Sequence, residues 1–151
     1  HSDDERIRRS LTLAGEEGLA YAFTTEAIPG AHPNTARIHL KGENGAECEV
    51  QGASIGGGNI LVTEINGMEV SFTGQYNTLM VLHYVKRGTI AAVTNFMAYS
   101  GTNIGNFRLT RPRKGGEAVM TIEVDGDVEE SLIQSLRILP NIINVVLIRA
   151  I

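Results

Sequence analysis

Apolar residues recur along this chain with two different periods, and the change of period predicts its elements. Near the start, Ile7, Leu11, Leu13 and Ala14 fall mostly at helical spacing behind the acidic trio Asp3, Asp4 and Glu5, and Gly18 follows the last of them. Acidic residues suit the N-terminal end of a helix dipole and glycine its stop, so one amphipathic helix is predicted over 3–18. Leu19 to Thr24 reads as a short strand, after which Pro29, Gly30 and Pro33 place His32 in a loop. From Arg37 the period becomes two: Ile38 and Leu40 alternate with Arg37, His39 and Lys41 up to the turn Glu43-Asn44-Gly45. Strands over 46–55 and 59–65, a second Asn-Gly turn at Asn66-Gly67, and the alternation Met68, Val70, Phe72 complete a four-strand antiparallel meander with one buried face.

Past the polar stretch Gly74–Asn77 the order of elements changes. A strand over 79–85 is followed by a helix over 89–100, with Ile90, Val93 and Met97 on one face and Gly101 as its stop. Strand 103–110, the basic turn Arg111-Pro112-Arg113-Lys114-Gly115-Gly116 and strand 117–124 come next. Ala118, Met120, Ile122 and Val124 share one side of that last strand. Helix 128–139 carries Val128, Leu132, Leu136 and Leu139 in one stripe, Pro140 ends it, and 142–148 is the closing strand. The order βαββαβ is that of a ferredoxin-like split βαβ unit. The fold class is therefore α+β, a helix plus antiparallel sheet in residues 1–76 followed by the ferredoxin-like unit in 77–151. Each segment alone is small enough to bury only about 60% of its unfolded surface, so pairing through strand edges or helices is expected.

Composition narrows what such a chain can do. Of 151 residues 42% are hydrophobic and 20% charged, which is globular, and the net charge is −4 with no basic cluster interleaved with aromatics. Nucleic acid is not an expected partner. No apolar run approaches the roughly 20 residues of a membrane span, so no membrane is expected either and the expected compartment is the cytoplasm. The single cysteine, Cys48, excludes an internal disulfide and cannot alone hold an iron-sulfur cluster. Lying between Glu47 and Glu49, it is expected to point inward as a small hydrophobe. Lacking an initiator Met, the chain reads as a fragment of something longer.

Candidate chemistry is sparse. The run Gly56-Gly57-Gly58 can offer an anion nest, but a strand follows it where a dinucleotide loop needs a helix, so a strand connection is the better reading. In His32-Pro33-Asn34-Thr35 an imidazole and a carboxamide stand two residues apart on a stiffened loop. They either face one cavity or simply cap a turn. His39, beside Arg37 and Lys41, reads as a solvent-face residue. Lys86-Arg87-Gly88-Thr89 joins a strand to a helix N-terminus, where free N–H groups favour an anion such as an amino-acid carboxylate; alternatively Gly88 only makes the turn.

Three strings decide between these options. His32-Pro33-Asn34-Thr35, then Gly52-Ala53-Ser54-Ile55-Gly56-Gly57-Gly58-Asn59-Ile60, then Gly67-Met68-Glu69-Val70-Ser71-Phe72-Thr73-Gly74 together resemble the beta chain of bacterial iron-sulfur-dependent L-serine dehydratase. The second segment resembles an ACT domain through Arg87-Gly88-Thr89-Ile90-Ala91, Gly101-Thr102-Asn103-Ile104 and Ala118-Val119-Met120-Thr121-Ile122-Glu123-Val124-Asp125. The first segment is then similar to the C-terminal part of an allosteric substrate-binding domain, without the Ser-Ser-Ser-His-Thr motif carried by its other part.

The resemblance implies a pair of subunits. A cluster-bearing alpha chain supplies a [4Fe-4S] cluster whose iron polarises the substrate hydroxyl, this chain binds no cofactor itself, and L-serine goes to pyruvate and ammonia. It implies His32 and Asn34 as catalytic-site residues, one orienting substrate or relaying a proton and the other binding its polar groups. It implies Lys86, Arg87, Gly88 and Thr89 facing Asn103 and Ile104 of a neighbouring copy as an amino-acid site, with homo-oligomers formed through ACT domains. The loop departs from the family's frequent acidic-x-Pro-Gly form: Lys86 stands near the acid's place and Arg87 replaces the proline, so a dimerising role without ligand is an alternative. Two other readings remain, a serine-sensing module of the phosphoglycerate-dehydrogenase type and a plain oligomerisation scaffold.

Overall fold

A computed structural model describes residues 4–111 and 115–150, so three residues of the basic turn, Pro112, Arg113 and Lys114, lie outside the described residues. The chain divides into two compact units, His1–Ala31 and His32–Ile151.

In the first unit a 3-10 turn, Glu5–Arg9, leads into helix α1, Ser10–Glu16. Asp4 caps the turn by accepting the Arg6 backbone N–H at 2.9 Å, and the Arg6 guanidinium at 2.6 Å holds the Asp4 carboxyl below its ordinary range. The predicted single helix therefore begins as a tighter coil. The strand expected over 19–24 does not form. A strand is stable only when its N–H and C=O groups find a ladder partner, and these residues have none among the described ones; Leu19, Tyr21 and Phe23 stay exposed, with the two aromatic rings 5.8 Å apart.

The second unit holds two four-stranded antiparallel sheets. The first is the predicted meander β1 (Thr35–Lys41), β2 (Glu47–Gly56), β3 (Asn59–Ile65), β4 (Met68–Phe72), in that order. Its hairpins follow from the turn residues. Gly57 and Gly58, at φ 63° and 78°, and Asn66-Gly67, at 50° and 75°, supply the two positive φ angles that a two-residue hairpin of right-handed twist demands. The glycine run is thus a strand connection.

The second sheet is built from β5 (Asn77–Tyr84), β6 (Ile104–Thr110), β7 (Glu117–Val124) and β8 (Ile142–Ile148), with α2 (Thr89–Tyr99) and α3 (Glu130–Arg137) on one face. Its order β6-β7-β5-β8 is the ferredoxin-like split βαβ arrangement. Leu79, Val81, Met120, Ile122 and Val145 pack under Val93, Met97, Leu132, Ile133 and Leu136, all 5% exposed or less. The predicted face of α2 is corrected at one position. Ile90, although it shares the stripe of Val93 and Met97 by spacing, is 40% exposed in the first turn of the helix, and Thr89 beside it is buried.

The other face of this sheet packs on the meander. Val70 and Phe72 meet Met80 and Val119, with Val62, Ile65, Met68, Leu82 and Ile148 around them. That contact covers only the β3–β4 side of the meander, so the expectation of one buried face fails at β1: Ile38 and Leu40 are 51% and 55% exposed. Cys48, opposite Leu40 in register, is only half-buried for the same reason.

Glu123 fastens the connection between the sheets. It is 94% buried; one carboxylate oxygen accepts the Thr73 N–H at 3.2 Å and the Thr73 hydroxyl at 3.4 Å, and the other accepts from Asn106 Nδ2 at 2.9 Å. Glu123→Leu leaves those donors without their acceptor, and urea unfolding is expected to show a loss of about 2 kcal/mol; an unchanged midpoint would mean the clamp contributes nothing.

Candidate functional site

β1 starts where it does because of His32. Thr35 pairs with Ala53, so the next antiparallel pair outward is Asn34 with Ser54, and the Ser54 N–H donates to the Asn34 carbonyl at 3.0 Å. The Asn34 N–H does not return that bond. It donates to His32 Nδ1 at 3.2 Å, while the Thr35 hydroxyl donates to the His32 carbonyl at 2.7 Å. A two-residue turn closed by an imidazole therefore ends the ladder.

His32 and Asn34 are both exposed, at the end of the sheet that also carries Ser54 and the Gly57-Gly58 hairpin. Close by in sequence, Asn59 Oδ1 accepts from Gln75 Nε2 at 2.5 Å. Of the two options left open for this loop, the turn cap is what these bonds show, and the imidazole and carboxamide both stand exposed. His39 lies on the opposite face of the strand from Ile38, 2.9 Å from Glu49, as a solvent-face residue does.

The second set of candidates is not brought together within one copy. Gly88, at φ 86°, caps α2 with Lys86 and Arg87 exposed beside it, at the end of β5 where Tyr84 pairs with Glu117. Asn103 and Ile104 stand at the start of β6, where Ile104 pairs with Val124, itself opposite Asn77. Seven residues of strand, about 23 Å, separate the two ends. Asn103 is held at 2.5 Å by Asp125, and Asp125, Asp127 and Glu129 line a groove of about 300 Å³ between the end of α2 and the start of α3.

Sequence reasoning passed over His83. It is 2% exposed; Nδ1 lies 2.9 Å from the Tyr84 carbonyl, which can only accept, so Nδ1 carries the proton and the buried Nε2 has no partner. The Thr89 hydroxyl, at the first position of α2, is likewise buried without a partner. A polar residue in the run Leu79, Val81, His83, at a core-facing position, was the available signal.

Comparison with known proteins adds a name to this geometry. No family model matches the chain. Over 142 residues it is 42% identical to the probable L-serine dehydratase beta chain of Bacillus subtilis (strain 168), covering 94% of this chain and 64% of that one. The L-serine dehydratase beta chain of Peptoniphilus asaccharolyticus is 36% identical over 131 residues, covering 86% and 59%. The chain is homologous to L-serine dehydratase beta chains. It spans less than two thirds of the length of either relative. With 142 of 151 residues matched, the His32 turn falls inside the matched stretch. A D-3-phosphoglycerate dehydrogenase of Bacillus subtilis (strain 168) is 24% identical over 136 residues, 90% of this chain but 26% of that enzyme.

Proposed function

We propose that this chain is the non-cluster subunit of an L-serine dehydratase, completing the substrate site and carrying regulation while a cluster-bearing alpha subunit supplies the metal chemistry. The observation that carries the reading is the 42% identity to a beta chain across 94% of this sequence, spanning the exposed His32–Asn34 turn. The net reaction takes L-serine to pyruvate and ammonia: water leaves across the Cα–Cβ bond to give an enamine, a proton shift from nitrogen to Cβ makes the imine, and its hydrolysis returns one water and releases ammonia.

This chain's donors do not fit a cluster of their own. Four thiolates are the usual ligand set, Cys48 is the chain's one cysteine, and no three His, Cys, Asp or Glu side chains gather as a metal site among the described residues. What it offers substrate is polar and directional, the His32 imidazole and the Asn34 carboxamide, both suited to the carboxylate and hydroxyl of a small amino acid.

A second, regulatory role is proposed for the ferredoxin-like half, read here as an ACT domain; the similarity to a D-3-phosphoglycerate dehydrogenase, which runs over 90% of this chain, is compatible with it. In that role Lys86, Arg87, Gly88 and Thr89 belong to an amino-acid effector site completed by Asn103 and Ile104 of a second copy.

Anaerobic mixing of this chain, or its longer native form, with a cluster-loaded alpha chain tests the reading. Pyruvate is expected from L-serine in the mixture and from neither chain alone. Turnover by this chain alone would overturn the division of labour, and an inactive mixture with an intact cluster would favour the serine-sensing reading.

A further inference from the structure

We propose that His32 presents Nε2–H outward as a fixed hydrogen-bond donor to an acceptor oxygen of a small 2-amino acid, and that it is not the base of the reaction. The assignment of His32 to the substrate site rests on the dehydratase reading; the assignment of its proton does not.

The argument begins in the ladder. In an antiparallel hydrogen-bonded pair two residues exchange both N–H···O bonds. Here the pair Asn34–Ser54 keeps one of them, Ser54 N–H to the Asn34 carbonyl, and the other is diverted to His32 Nδ1. A backbone N–H has no alternative but to donate, so Nδ1 must offer its lone pair. In the neutral imidazole the proton then stands on Nε2.

One further bond and the strand register hold the ring's backbone in place. Thr35 Oγ1 ties down the His32 carbonyl at 2.7 Å, and Thr35 is itself locked in register opposite Ala53. Pro33, between the two partners, fixes one of the turn's dihedral angles. The tautomer is thus set by main-chain geometry.

The chemical consequence is a polarity. The ring nitrogen left outward carries hydrogen and has no lone pair, so it can donate to a carboxylate or hydroxyl oxygen but cannot take the α-proton. Asn34, whose main-chain N–H makes the bond, keeps its side-chain amide free to accept or donate beside it. Together they form a donor pair suited to a carboxylate, and the proton-abstracting group belongs elsewhere in the assembled enzyme.

Two measurements test this. In the 151-residue chain with 15N-labelled histidine, long-range 1H–15N spectra of neutral His32 are expected to show Nδ1 at the unprotonated, pyridine-like position and Nε2 at the protonated, pyrrole-like one. The reverse pattern, or an averaged pair, overturns the proposal. In the two-chain enzyme His32→Gln retains an N–H donor near the Nε2 position while lacking any basic nitrogen. It is expected to keep kcat/KM within about tenfold of the parent, whereas His32→Ala falls about a hundredfold. Equal, near-complete loss in both variants identifies a base and sinks the donor role. A parent pair with no serine turnover counts against the dehydratase reading, while the 15N pattern still decides the tautomer.

Discussion

Leu136→Ala is expected to lower the free energy of unfolding by about 3–4 kcal/mol and the melting temperature by roughly 10 °C. Leu136 has no exposed surface and belongs to the cluster that joins α3 and α2 to the sheet, with Met97, Met120, Ile122 and Val145 in the same cluster. Truncation removes three carbons from a close-packed site, so the lost transfer energy is joined by the cost of a cavity that rigid strands cannot collapse. Ile138, two residues on, is 83% exposed, and Ile138→Ala should stay within about 0.5 kcal/mol. Urea unfolding followed by circular dichroism reads both. A Leu136→Ala loss below about 1 kcal/mol would mean that the helix layer does not hold the sheet as described.

The stripe that places Leu136 was visible as a sequence pattern, and so was most of the second unit. Helical spacing from Val128 to Leu139 and strict alternation from Ala118 to Val124 each report a face buried against a continuous layer, and β7 forms over Glu117–Val124 as its pattern requires. The meander was legible through its turns, since Asn-Gly and paired glycines leave the backbone few choices.

What escaped depends on tertiary covering. Ile38 and Leu40 alternate as well as Val70 and Phe72 do, yet only the latter are buried, because alternation states which side of a strand is apolar and not whether anything lies over it. Leu19–Thr24 has strand-like residues but no ladder partner among the described residues. Ile90 has the spacing of a core residue, yet at the start of α2 it is left 40% exposed while Thr89 is covered.

The candidate site was legible as composition and opaque as geometry. His32, Pro33 and Asn34 could be singled out as a stiff polar loop. The diversion of a ladder bond onto Nδ1 depends on the register Thr35–Ala53, which no local pattern specifies. His83 escaped for the converse reason. Its core-facing place after Leu79 and Val81 could be read, but that Nε2 is buried and unpartnered follows only once the neighbouring strands pair and close over it.

The second large effect is expected at Phe72, and it reports how the two sheets depend on one another. Phe72 is 4% exposed at the end of β4, opposite Val62, and packs in the cluster formed with Met80 of β5 and Val119 of β7. The meander's own buried hydrophobics are Ala53, Val70 and Phe72, so its apolar stabilisation comes chiefly from this one contact. The second sheet has its separate cluster under the helices and does not rely on it. Phe72→Ala should therefore cost about 3–5 kcal/mol, and the cost should be unequal. Amide exchange in β2, β3 and β4 is expected to accelerate strongly, while amides of β5 and β7 keep most of their protection. Uniform acceleration in both sheets would show a single cooperative unit, and protection left unchanged in the meander would show that it stands alone. In the proposed enzyme the same contact is one physical link from the half proposed to be regulatory to the sheet whose first strand positions His32. Phe72→Ala in the two-chain complex should then lower turnover without touching any group that meets substrate, and an activity equal to the parent's at full folding would break that link.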